Sequence, residues 1–190
     1  MTRPEQLTRR SQAATISRHH AFALVGRDLI LAKARDAAAN PRKREIHVLH
    51  SGDQDPLQRM LNAIQPSTYV QPHRHLHPPK AESFVLLQGQ AGIVIFGDHG
   101  EVVDKGLVLL DQSHGVVAVD VREGVWHTLV ALAPETVLFE VKPGPYHAPR
   151  DKDLASWSPG PGHSQALPYL ADLEDRLRIF WKLPQRLWKP

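Results

Sequence analysis

The sequence predicts a mainly β fold, a sandwich or small barrel with one helix before it and one after. Three observations carry that expectation. From Leu57 to Val141, short apolar or alternating runs recur between turn residues, the pattern of an antiparallel sandwich or barrel. Helical spacing is confined to two segments outside that region, Asp28–Ala39 and Leu167–Trp181. Strands do not alternate with helical patterns between them, which argues against βαβ units. A count of about eight strands suits a jelly roll.

Taken in order, residues 1–26 show no sustained periodicity and are expected as a flexible leader. The arginines, serines and threonines of residues 1–20, with almost no acid among them, also fit a transit peptide. Residues 27–50 begin with a helix whose Ile30, Ala34, Ala37 and Ala38 fall at helical spacing, and Asn40-Pro41 stops it. Ile46 to His50 then reads as a short extended piece. Residues 51–150 form the β domain. Its expected strands are Met60–Ile64, Thr68–Gln71, Phe84–Leu87, Ala91–Phe96, Glu101–Leu110, Val116–Val121, Val125–Leu132 and Thr136–Val141. Gly89, Gly97-Asp98-His99-Gly100, Glu123-Gly124 and Pro134 mark turns between them. Residues 151–190 are a Pro/Gly-rich arm expected over the surface, then a helix with Leu170, Leu173 and Leu177 along one side.

Composition narrows the function. The chain has 190 residues, with 23 Lys and Arg against 20 Asp and Glu. Its basic residues are dispersed, so clusters such as Arg42-Lys43-Arg44 read as solvated surface and nucleic acid is not expected as a partner. There is no cysteine, which excludes disulfides, thiolate metal sites and thiol catalysis. No run approaches the roughly 18 apolar residues of a membrane span. No membrane association is therefore expected, and a cytoplasmic location is expected by default.

The chemistry concentrates in His73-Arg74-His75-Leu76-His77, followed by Glu82 at the start of an apolar run. On a strand, side chains at i and i+2 share a face, so two alternate histidines present their imidazoles side by side. Neutral imidazole plus carboxylate suits a divalent first-row metal. A third imidazole should come from a distant strand, and His127 is best placed, opening an apolar strand after the Gly124 turn. A lone histidine is more often a hydrogen-bonded structural group. Several at strand spacing beside a carboxylate favour a metal. By alternation Tyr69, Gln71, Phe84, Leu86, Val125 and Leu129 should line the pocket, with Glu140, Lys142, Tyr146 and His147 near its mouth and Lys80 solvated on the turn.

His73-Arg74-His75, Glu82 and Gly89, then Gly124-Val125-Trp126-His127, resemble the two metal motifs of the cupin superfamily. More narrowly the chain resembles the WbuC family of cupin-fold metalloproteins. Leu61-Asn62-Ala63, Tyr69 to His75, Phe84 to Gly89 and Phe139 to Tyr146 carry that likeness, which spans about residues 42–150. The resemblance implies a double-stranded β-helix barrel, a jelly roll, holding a single divalent metal ion (iron, manganese, zinc or nickel), and often a homodimer. The general cupin pattern selects His75, His77 and Glu82. The WbuC-like pattern selects His73, His75 and Glu82. The alternation from Tyr69 and Gln71 favours His73, which leaves His77 at the rim. Arg122 and Ala131 stand where the general second motif has proline and asparagine.

The expected function is a metalloprotein with one divalent metal in a barrel pocket, an enzyme acting on a small polar molecule. A metal-dependent isomerase, epimerase or oxygenase fits, and the WbuC likeness alone suggests a sugar-related substrate. The alternative is a non-catalytic, metal-dependent module that binds a small ligand. No general base can be assigned from the sequence.

Overall fold

The computed structural model describes residues 7–11 and 14–190. Its strands are β1 (Leu7–Ser11), β2 (Ala14–Ser17), β3 (Arg44–Val48), β4 (Leu57–Ile64), β5 (His73–Arg74), β6 (Glu82–Gln88), β7 (Ala91–Phe96), β8 (Val102–Leu110), β9 (Ala118–Val121), β10 (Trp126–Ala131), β11 (Thr136–Pro143) and β12 (Asp153–Leu154). The helices are α1 (Arg27–Ala39) and α2 (Ala166–Phe180). Among the described residues the strands form two sheets, one of seven strands in the order β1-β2-β3-β4-β11-β6-β9 and one of five in the order β12-β5-β10-β7-β8. Among the described residues β2–β3 is the one parallel pair and the other pairs are antiparallel.

Strand alternation sorts the side chains into layers. Phe84, Leu86 and Leu138 of the larger sheet meet Ile93, Leu129 and Ala131 of the smaller one, forming the core between the sheets. The opposite face of the larger sheet, Leu61, Ala63 and Val137, receives Ala34 and Ala37 of α1. The opposite face of the smaller sheet, Val94, Phe96, Val130 and Leu132, receives Leu170, Leu173 and Leu177 of α2. Gly92 makes that last contact close, because a Cβ there would lie 2.4 Å from Leu177 Cδ1. Gly89, at φ +84°, turns β6 into β7 against Thr136.

Four expectations are corrected. Among the described residues no strand pairing joins the two sheets, so the architecture is a two-sheet sandwich, not a closed barrel. At the β8–β9 corner the Asp111 carboxylate accepts hydrogen bonds from the Ser113 amide and hydroxyl, both at 2.7 Å, and a short 3-10 turn carries the chain across. Part of the expected leader is β1 and β2; residues 1–6, 12 and 13 lie outside the described residues. The buried positions of β2 are Thr15 and Ser17, and Thr15 is hydrogen-bonded to His47 at 2.9 Å and to Lys33 at 3.2 Å. Polar inward residues leave no hydrophobic alternation to read. Thr68–Gln71 is not a strand; Thr68 Oγ1 donates to Lys43 O at 2.7 Å and Gln71 Nε2 to Ala155 O at 3.1 Å. The C-terminal arm is not merely draped over the surface, because β12 pairs with β5 and places Leu154 opposite His73.

Candidate metal centre

The two short strands of the smaller sheet that matter most, β5 and β10, set His73 directly opposite His127. The chain then turns at Leu76–Pro79 and re-enters the larger sheet with Glu82 as the first residue of β6. The Gly124 amide donates to the His75 carbonyl at 2.9 Å, tying the turn before β10 to the first histidine segment. One ligand atom from each of His73, His75, Glu82 and His127 can be chosen so that all lie within 4.8 Å of one another, and all four residues are buried.

Each imidazole is oriented through its Nδ1. His73 Nδ1 donates to Gln71 O at 3.0 Å, His127 Nδ1 to Val125 O at 2.9 Å, and His75 Nδ1 to the backbone carbonyl of Asp151. A carbonyl can only accept, so these contacts place the proton on Nδ1 and leave the Nε2 lone pair facing inward. His127 Nε2 lies 3.1 Å and His75 Nε2 3.3 Å from the same oxygen, Glu82 Oε2. The His75 Nε2 is buried without a hydrogen-bond partner. Lone pairs on nitrogen and carboxylate oxygen repel at these separations unless a cation lies between them. Burial, reinforced by Lys152 and His127, holds the His73 pKa well below its ordinary value, so that ring stays neutral and fit to ligate. Burial opposes ionisation of Glu82, and the Lys142 charge 3.6 Å away leads the effects that hold the carboxyl well below its usual range. This donor set fits one divalent metal ion.

Beyond Glu82 the same inner face of the larger sheet opens into a cavity of about 440 Å³, lined in part by Arg44, Gln58, Glu140, Lys142, Tyr146 and Lys152. Lys142 Nζ links cavity and cluster, lying 2.8 Å from Asp151 Oδ2, 3.6 Å from Glu82 Oε1 and 3.9 Å from Glu140 Oε1. Burial and the Glu82 charge push Glu140 up to about 7, against the pull of Lys142 and Arg44. Burial and the Arg44 and Lys142 charges push Lys152 down to about 8.

His77 does not join the cluster; its side chain is 75% exposed and its Nδ1 lies 3.5 Å from Asp153 Oδ2. None of the six expected pocket residues lines the cavity. Phe84, Leu86 and Leu129 fill the core between the sheets, and Val125 packs against it. Gln71 is buried beside His73. Tyr69 belongs to the α2 layer, with its hydroxyl donating to Pro159 O at 2.6 Å. The cavity lies instead over β3, β4 and β11. Of the mouth residues expected, Glu140, Lys142 and Tyr146 line it and His147 does not. Lys80 is buried, not solvated, donating to Asp151 Oδ1 at 2.9 Å and Pro145 O at 2.8 Å.

Arg44, Asp151 and Lys152 were missed. Arg44 alternates with Ile46 and Val48, which could have placed it inward. The Asp151-Lys152-Asp153 charges interrupt an arm otherwise rich in proline and glycine.

The family described as "Domain of unknown function (DUF6016)" matches residues 25–108, a span that contains His73, His75 and Glu82 and ends before His127. No curated protein matches the chain. Among solved structures it is similar to KdgF from a Halomonas species, with 16% identity over 56% of this chain and 82% of that one and a TM-score of 0.41. An RmlC-like cupin protein from Desulfovibrio desulfuricans aligns at 11% identity over 53% of this chain and 81% of its own, with a TM-score of 0.38. CapF in complex with an inhibitor aligns at 18% identity and a TM-score of 0.45, and CapF from Staphylococcus aureus at 17% and 0.43. Each alignment covers 58% of this chain and 31% of CapF.

Proposed function

We propose that this chain is a cupin-type metalloprotein of the WbuC-like kind, in which His73, His75, Glu82 and His127 hold one divalent metal and the protein acts as an enzyme on a small polar molecule. The observation that carries the reading is the convergence of imidazole lone pairs and a carboxylate, each ring oriented by a carbonyl on Nδ1. Support for the cupin affiliation comes from the two motifs around those residues. The sugar-related substrate rests on the WbuC likeness alone.

Four protein ligands leave room on a five- or six-coordinate ion, and a metal there would supply Lewis-acid polarisation or an activated water. The chain's own groups prepare the site. Lys142 keeps Glu82 ionised and bridges it to the cavity, while Asp151 fixes His75 through its carbonyl and holds Lys142 and Lys80 through its carboxylate. Glu140 accepts from Asn62 Nδ2 at 2.8 Å through Oε2, which leaves Oε1 toward Lys142. The cavity beside this group favours catalysis over a closed structural site, which would need no adjoining space.

Elemental analysis of tag-free protein purified without added metal tests the reading, with His75→Ala and His127→Ala alongside. The expected result is near one metal per chain in wild type and a loss of at least tenfold in both variants. Wild-type protein that carries no metal and takes none up on addition would overturn it.

A further inference from the structure

The cavity holds cations that the metal reading does not use. Arg44, Arg42 and Lys152 all line it, and none has a carboxylate within ion-pair distance among the described residues. Lys142 differs, because Asp151 already takes its charge. Arg44 is also fixed in place. Its Nε donates to Asn62 Oδ1 at 2.9 Å, and Asn62 is held from its other end by Glu140. A guanidinium anchored through Nε presents its remaining N–H groups as a planar fork, the geometry that carboxylate and phosphate oxygens match. Two of the acids lining the cavity are already engaged: Asp151 is shared by Lys80 and Lys142, and Glu140 is bonded to Asn62. Asp53 is the third acid on the wall. Cations brought together in a partly enclosed space repel and lose hydration, and an anion relieves both costs.

We propose that this cavity binds a small organic anion whose carboxylate or phosphate docks on Arg44 and Lys152 while the rest of the molecule extends past Glu140 toward the four-residue cluster. A volume of about 440 Å³ matches a small-molecule pocket. That the anion is also the substrate of the metal centre rests on the function proposed above; the anion pocket itself does not.

The test is a 15N–1H NMR titration of the full chain, as purified and after dialysis against EDTA, with D-gluconate, sorbitol 6-phosphate and neutral D-sorbitol. The expected result is that at least one anion binds tenfold or more tightly than sorbitol in both preparations. Gluconate ahead identifies a carboxylate, and sorbitol 6-phosphate ahead a phosphate. Arg44→Met and Lys152→Met should each weaken that anion by tenfold or more, and Arg44→Met should do so with metal content unchanged. Arg176→Met, which removes an equal charge from α2, should leave affinity within twofold. Loss of binding only after EDTA would show the metal itself to be the anion site and overturn the proposal. So would equal binding of anion and sorbitol, or none, or variants that bind as wild type does. Metal content, measured separately, fails or holds independently of these results.

Discussion

Three rings that each spend Nδ1 on a backbone carbonyl have only Nε2 left to offer, and at His75 and His127 that atom faces one carboxylate oxygen. A neutral donor at position 82 would answer those lone pairs without any metal. Glu82→Gln should therefore separate two quantities that usually move together. The amide N–H can donate to His75 or His127, which offsets the lost Lys142 ion pair, so the metal-free variant should melt close to metal-free wild type. Without the carboxylate, metal affinity should fall at least tenfold. Calorimetry and metal titration on both metal-free proteins check the pair of outcomes, and a variant that keeps wild-type affinity would remove Glu82 from the ligand set. At this scale the sequence was informative where chemistry is rare: alternate histidines and a following carboxylate stand out in a chain without cysteine. It was silent on Asp151, whose role toward His75 is played by a backbone carbonyl that any residue carries.

Elements were legible in proportion to their hydrophobic contrast. β7 is readable because Ala91, Ile93, Val94 and Phe96 are all buried, and α2 because Leu170, Leu173 and Leu177 repeat at helical spacing. β2 was not, since its inward residues are Thr15 and Ser17, and β5 and β12 are two residues long, too short for any period. The α2 layer depends on one residue that carries no hydrophobic signal. At Gly92 an added Cβ would sit 2.4 Å from Leu177 Cδ1, so Gly92→Ala forces either a new Leu177 rotamer or a shift of α2. We expect about 1–3 kcal/mol of destabilisation from this overpacking. Leu177→Ala alone leaves a cavity and should cost about 2–5 kcal/mol. In the double variant the added methyl fills part of that space, so the two costs should fall short of their sum by at least about 0.5 kcal/mol in urea denaturation. Full additivity would mean that Gly92 and Leu177 do not meet.

For the whole molecule, the question is what joins two sheets that share no strand pairing among the described residues. One join is the β8–β9 corner. Burial opposes ionisation of Asp111, but hydrogen bonds from Ser113, Gln90 and His114 prevail and lower its pKa to about 2. A carboxyl depressed from its ordinary value of 3.8 contributes stability that is fully present above about pH 4 and is lost as pH falls through about 2. Solvent screening at this corner trims the effect, so Asp111→Asn should cost about 1 kcal/mol at pH 7 and much less at pH 2, as read from urea midpoints across that range.

A further join would be a metal held at the candidate centre. Glu82 belongs to the larger sheet, His73 and His127 to the smaller, and His75 to the loop between them. A metal held by all four is a cross-link between the sheets, and the unfolded chain has no such site. Its binding free energy therefore adds to folding stability, about 4 kcal/mol at a free-metal concentration a thousandfold above Kd. Chelation should lower the melting temperature of wild type, and re-addition of the metal should restore it. Glu82→Gln should show little of either response. A variant at the β8–β9 corner, such as Asp111→Asn, should keep the full metal-dependent shift, because its loss lies elsewhere. Should chelator and metal leave the wild-type melting temperature unchanged, the sheets are held by packing alone and the four side chains do not act as a staple.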